Sequence, residues 1–261
     1  MNLLLLDRNE LPAAHTAGHG NAGHTLITLR DARATHIVEV LRATAGDSLK
    51  AGIINGQIGR ATINNIELAS NAVTIEIDTH AFTQPPPVPL NCRVFVALPR
   101  PKAARRILRL LAELGVKEIH VFNCYKVEKS YWSSPLLKPA QVNQQFKLGL
   151  SQSVDTLMPV LHQQRLFRPF VEDVLPGLIN GEMLLLAQPG SALSAKQALR
   201  GQVAEDTINI VIGPEGGLIP YEVNKLVEAG AREMSLGSRI FRSEVALVQL
   251  LAEVRGFLSE Y

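Results

Sequence analysis

The sequence predicts an α/β chain in two parts: a small N-terminal β-barrel over residues 1–80 and a C-terminal parallel sheet with covering helices over residues 92–261. Three observations predict it. Residues 81–91 contain Pro85-Pro86-Pro87-Val88-Pro89, and consecutive prolines favour a stiff, extended spacer. Before that spacer the pattern is mostly short strands with one helix, as in a small barrel. After it, strands and helices alternate, as in a parallel sheet covered on both faces.

In chain order, strands are expected over residues 3–6, 26–29, 48–54, 57–63 and 72–77. Asn55-Gly56 separates two of them and is a hairpin-turn signal, because both residues tolerate positive φ. One helix is expected over residues 32–41. Beyond the spacer, 94–98 reads as a strand and 102–114 as a helix with Ile107, Leu108, Leu110, Leu111 and Leu114 at helical spacing. Further strands are expected at 118–122, 183–187, 208–212 and 233–236, with helices at 139–154, 221–229 and 243–258.

The chain has 261 residues, 46% of them hydrophobic, ample for a core, and a net charge of +2. So mild a positive balance permits contact with RNA through a local patch without requiring it. Cys92 and Cys124 provide neither a disulfide framework nor a metal-ligand spacing, which fits a reducing compartment. Met1 to Leu6 is too short for a secretory leader, and no apolar run approaches a membrane span. These features predict a cytoplasmic protein with no metal and no membrane partner.

Gly18-His19-Gly20-Asn21-Ala22-Gly23 matches G-x-G-x-x-G literally. A dinucleotide site needs a strand before that motif and a helix after it. Here a poor strand precedes and a good strand follows, so the segment reads as a surface loop.

The informative glycines lie later. Gly213-Pro214-Glu215-Gly216-Gly217 follows the apolar strand at 208–212, and Leu236-Gly237-Ser238-Arg239-Ile240 follows the strand at 233–236. Glycine lets a ligand approach bare backbone, and the carboxyl ends of strands are where open α/β sheets bind ligands. No Lys-Ser/Thr pair follows the glycines, which excludes a Walker-type phosphate loop. Backbone N–H and C=O groups suit the polar edge of an adenine ring.

These residues carry a resemblance. "IGPEGG" at 212–217 with Leu236-Gly237-Ser238-Arg239-Ile240-Phe241-Arg242-Ser243-Glu244 resembles the signature of RsmE-type 16S ribosomal RNA uridine N3-methyltransferases, of the SPOUT superfamily. Thr35-His36-Ile37-Val38-Glu39-Val40-Leu41-Arg42 with Gly46-Asp47, and Ala112-Glu113-Leu114-Gly115-Val116, match further elements in order. The resemblance implies a PUA-like RNA-binding β-barrel at the N-terminus and a trefoil-knotted parallel-sheet domain, with the knot around 208–236. It also implies a homodimer acting on the small ribosomal subunit, at N3 of a decoding-region uridine expected to be uridine 1498 of 16S rRNA.

For the cofactor, S-adenosyl-L-methionine, it implies contacts from Leu186 and Ala187, from Gly213, Pro214, Glu215, Gly216 and Gly217, and from Leu236, Gly237, Ser238, Arg239 and Ile240. The chain departs from the family pattern at Leu110, where lysine is common, and at Asp155, where arginine is usual. Related SPOUT chemistry on another base or ribose, and a non-catalytic assembly factor, are the alternative readings.

Transfer to uridine N3 requires the imide proton to leave. Glu244 or Glu215 is the expected acceptor, and Arg242 the expected stabiliser of the uracil anion. Glu244 also fits a helix start, where a carboxylate stabilises the helix dipole, and Arg239 fits a pairing with either glutamate. Lys102, Arg105, Arg106 and Arg109 recur every three or four residues, so they share one helix face; phosphate contact and a merely solvated face are the two readings. Arg42, Gln152 and Ser153 are the other expected RNA contacts. His36 reads as a packed histidine, whereas Tyr131 and Trp132 suit either packing or base stacking.

Overall fold

The computed structural model describes residues 2–11, 24–202 and 206–259; the Gly18 to Gly23 motif lies outside them. Two compact units emerge, one of residues 1–88 with 147–158 and one of residues 89–146 with 159–261.

The first unit is a curled five-stranded sheet in the order β1-β3-β4-β5-β2, with β1 (Leu4–Leu6), β2 (His24–Leu29), β3 (Ser48–Ile53), β4 (Ile58–Glu67) and β5 (Ala72–Asp78). Only the β1–β3 pair is parallel. β2 alternates exposed and buried residues along its whole length, as a strand with one face in the core must. Leu4, Leu6, Ile27, Leu29, Ile63, Val73, Ile75 and Ile77 meet there, with Ile37 from the helix between β2 and β3. That helix starts as α1 (Ala32–Thr35) and widens into a π-helical stretch, His36–Val40. Asn55, at φ 54°, turns β3 into β4 as expected.

The second unit holds a six-stranded, all-parallel sheet in the order β11-β9-β10-β6-β7-β8. Its strands are β6 (Cys92–Ala97), β7 (Glu118–Phe122), β8 (Val160–Gln164), β9 (Leu184–Ala187), β10 (Ile208–Ile212) and β11 (Ala231–Met234). Helices α2 (Pro101–Glu113), α3 (Pro139–Ser153), α4 (Phe167–Pro169), α5 (Leu175–Ile179), α6 (Ala195–Ala198), α7 (Pro220–Glu228) and α8 (Ser243–Ser259) connect or follow them. A π-helical stretch, Phe170–Val174, joins α4 to α5. β10 buries all five of its residues, as a central parallel strand does.

The sequence reading missed β8 and the helical run from α4 to α5. β8 reads Val-Leu-His-Gln-Gln and has no fully buried residue, so its apolar signal stops after Leu161, and its ladder with β7 makes it a strand. A second difference concerns residues 147–158, which the proline boundary groups with the second part. They pack within the first unit because Ser151 accepts from the backbone N–H groups of Asn2 and Leu3 (both 3.0 Å), Thr156 Oγ1 donates to Gly56 O (2.5 Å) and Lys147 Nζ pairs with Asp7 (2.7 Å). Gly52 faces the same segment: a Cβ there lies 2.6 Å from Thr156 Cγ2.

At the amino end of the parallel sheet, Arg93 on β6 donates to Asn209 Oδ1 (2.7 Å), Glu182 Oε2 (3.0 Å) and Leu178 O (2.9 Å). Its Nε sits 2.8 Å from Glu118 Oε2 without being aimed at it. His120, 1% exposed, stacks between Phe95 and His162. Its Nε2 lies 3.1 Å from Glu118 Oε1, whereas its buried Nδ1 has no partner. Burial chiefly pushes the imidazole down to about 4; the Glu118 hydrogen bond opposes this without overcoming it.

Candidate active-site cleft

Strand register builds the cleft. Ala187 of β9 pairs with Ile212 of β10 on one side and with Met234 of β11 on the other. Three parallel strands therefore end level, and the turns that follow face one space. Together they line one open cleft of about 690 Å³, counting its solvent-filled mouth.

The 213–217 turn closes on a hydrogen bond from Gly217 N–H to Pro214 O (2.8 Å), with Gly217 at φ +70°. Gly237 has φ +104° and open space where a side chain would begin, so bare backbone faces the cleft. Ser235 Oγ braces that second turn by accepting from Gly237 N–H (3.2 Å), and Gln188 N–H donates to Met234 O (2.9 Å). The buried Ser243 hydroxyl, at the start of α8, donates to Gly213 O (3.4 Å).

Apolar groups fill the rest: Pro189, Leu218, Phe241 and Ile240 line the walls, and Ile240 is 84% exposed. An isoleucine that open in a concave wall offers surface to a ligand with an apolar face. Bare peptide groups beside apolar walls fit a purine ring and a thioether-like chain. The residues present therefore fit S-adenosylmethionine.

The RNA methyltransferase domain family matches residues 86–255. A Treponema pallidum protein named ribosomal RNA small subunit methyltransferase E is 30% identical over 97% of this chain and 90% of its own length. The chain belongs to this methyltransferase E family. A Borreliella burgdorferi protein, ribosomal RNA small subunit methyltransferase E 1, is 24% identical over 95% of this chain and 94% of that protein. A Neisseria gonorrhoeae structure of the same name, solved bound to S-adenosylmethionine, superposes with a TM-score of 0.68 at 18% identity, covering 100% of this chain and 98% of that one. The fold is thus that of the methyltransferase E structures.

Within this methyltransferase E member, most of the expected cofactor residues do line the cleft: Ala187, Gly213, Pro214, Glu215 and Gly217, then Leu236, Gly237, Arg239 and Ile240. Three others stand outside its lining. Leu186 points from β9 into the core, fully buried, because consecutive strand residues face opposite ways. Gly216 turns towards Lys126, and Ser238 lies exposed on the outer side of its turn. Sequence reasoning missed Gln188 and Pro189 after β9, Leu218, and Phe241, Ser243 and Ala246 at the start of α8. Only the level strand ends bring these to one place.

The three expected catalytic residues separate. Glu215 is on the cleft wall, whereas Arg242 and Glu244 stand beside it at the start of α8. Arg242 O accepts from the N–H groups of Val245 and Ala246 (both 2.9 Å), which places its residue at the helix cap. Arg239 pairs with neither glutamate: Glu215 is 3.7 Å from Arg100, and Glu244 is 3.7 Å from Arg106.

Lys102, Arg105, Arg106 and Arg109 share the exposed face of α2, opposite buried Ala103, Ala104, Ile107, Leu108 and Leu111. Arg109 donates to Gln145 Oε1 (3.0 Å). Tyr131 and Trp132 pack on the core, and Trp132 Nε1 donates to Asn123 Oδ1 (3.0 Å), so packing explains both. Arg42, Gln152 and Ser153 belong to the first unit. Ser153 Oγ donates back to Gly149 O (3.2 Å), and Asp155, buried, accepts from Leu157 N–H (2.9 Å) in a local turn.

Proposed function

We propose that this chain uses S-adenosyl-L-methionine to methylate N3 of a uridine in 16S rRNA of the small ribosomal subunit, the expected position being uridine 1498. The observation that carries the reading is the meeting of the turns after β9, β10 and β11 in one cleft of a methyltransferase E family chain. Gly213, Pro214, Glu215 and Gly217 hold the donor from one side, and Leu236, Gly237, Arg239 and Ile240 from the other. The bound donor supplies an electrophilic methyl group on a positively charged sulfur. The chain's own task is to align uridine N3 with that methyl and to take up the imide proton. Alignment alone is worth an effective molarity on the order of 10⁵ M or more.

Glu215 is favoured as proton acceptor because it lines the cleft; Glu244, beside the wall, is the second candidate. Arg242 stabilises the charge that develops on the uracil oxygens, since a guanidinium donates hydrogen bonds and keeps its proton. The exposed arginines and lysine of α2 take RNA phosphates, and Arg42, Gln152 and Ser153 of the first unit are further RNA contacts in this reading. Val245 and Val248, exposed apolar residues one turn apart on α8, support a homodimer. β10 lies between β9 and β6, an order compatible with a trefoil knot through residues 208–236. Among the described residues no helix is long and apolar enough to cross a membrane; a cytoplasmic location is part of this reading.

The test is to incubate the protein with S-adenosylmethionine and unmodified small subunits and identify methylated nucleosides by mass spectrometry. N3-methyluridine is expected. A ribose-methylated product, or methylation of tRNA in its place, overturns the assignment. Arg242→Ala is expected to slow single-turnover transfer about 10²–10³-fold, the loss typical of an anion-stabilising donor, with donor affinity unchanged.

A further inference from the structure

The loop after β7 reaches the glycine-rich turn after β10, although β6 lies between those two strands. Lys126 Nζ donates to Gly216 O at 2.6 Å. Its aliphatic stem lies across Gly216 so closely that a Cβ there would sit 2.9 Å from Lys126 Cδ. One residue earlier, Tyr125 N–H donates to Glu222 Oε1 at 2.6 Å. The other oxygen of that carboxylate, Oε2, accepts from Ile219 N–H at 3.0 Å. Glu222 is 3% exposed, and a buried carboxylate is retained only where donors satisfy it. Both oxygens are so satisfied.

We propose that Lys126 and Glu222 are positioning residues: a two-point clamp from the β7 loop that fixes the 213–219 turn and thereby sets the chain's affinity for S-adenosylmethionine. The proposal rests on the reading that this turn binds the methyl donor. Gly216 acquires a role distinct from that of its neighbours: it faces away from the cleft and admits the lysine stem. The clamp acts before the donor arrives. A turn already held needs less ordering on binding, so its loss weakens affinity more than it slows the chemical step.

Lys126→Met keeps the stem and removes the donor. Calorimetry is expected to show roughly three- to tenfold weaker S-adenosylmethionine binding, the scale of one partly exposed charge-assisted hydrogen bond. The KM for the donor rises while kcat at saturation stays, and hydrogen exchange at residues 215–218 accelerates in the donor-free protein. Lys126→Arg restores affinity. A coupling test uses Gly216→Ala, which weakens binding in the wild-type background and much less alongside Lys126→Ala, where the clash is absent. Wild-type protein that fails to bind S-adenosylmethionine overturns the cofactor reading itself. Wild-type binding with unchanged affinity and exchange in Lys126→Met, or additive effects of the alanine pair, overturns the clamp alone.

Discussion

The two ends of the parallel sheet are built on opposite principles. At the amino end, Arg93 stands within 2.7–3.0 Å of Asn209, Glu182, Glu118 and Leu178 O. At the carboxyl end, Arg100 and Arg106 stand 3.7 Å from their glutamates, and arginines 239 and 242 have no ion-pair partner among the described residues. A buried charge must be paired, because removing it from water costs several kcal/mol. A half-exposed charge beside bare glycine backbone can wait for a substrate. Close ion pairing therefore marks scaffold here, and looser pairing marks the working edge.

Breaking the closely paired end should give the largest effect on stability. Arg93→Met leaves Glu118 and Glu182 without their shared cation and Asn209 without a donor. A loss of about 3 kcal/mol in urea unfolding is expected, the scale for losing several charge-assisted hydrogen bonds at a part-buried site. If Arg93→Met unfolds like wild type, the division into scaffold and working edge does not hold.

The same end should also be sensitive to acid. His120 titrates at about 4 when folded, against an ordinary 6.5. The unfolded chain therefore binds more protons between those values, so stability is fully present above 6.5 and falls as the pH drops towards 4. The loss is on the order of 2–3 kcal/mol. Its cause is geometric: protonation would put a second N–H on Nδ1, which has no partner in the core. His120→Phe keeps the stack with Phe95 and should flatten the pH 4–6.5 slope in chemical denaturation; an unaltered slope would assign it to other groups.

A smaller effect sharpens the contrast at the working edge. Charge reversal at Lys102 and Arg105, which carry no ion pair among the described residues, should leave stability within about 0.5 kcal/mol. It should nevertheless reduce the salt dependence of small-subunit binding by roughly two charges. An unchanged salt slope would make this face merely solvated.

A further expected change lies in the other unit. Arg42 holds φ at 52°, a left-handed conformation that costs a side-chain-bearing residue about 1 kcal/mol. Arg42→Gly should raise stability by up to about 1 kcal/mol while weakening RNA binding. A variant that gains stability and loses no RNA affinity would remove Arg42 from the interface.

Much of this was written locally in the chain. The strands at 118–122 and 208–212, the helix face of α2 and both glycine turns follow from apolar periodicity and from glycine's freedom at residues such as 217 and 237. The clamp was not legible, because Lys126 and Gly216 lie 90 positions apart and nothing near either one signals the other. β8 was not legible either, since an edge strand with two apolar residues followed by three polar ones has no alternating pattern to read.

By itself the sequence determined most of the strands and helices, where bare backbone is available, and which helix carries positive charge, because periodicity, φ freedom and charge are properties of a few adjacent residues. Only the tertiary structure decided that Ala187, Ile212 and Met234 end level, that residues 147–158 pack with the first unit, and that Glu215 rather than Glu244 lines the cleft. Those outcomes depend on strand order and register, which are fixed when distant segments compete to bury the same core.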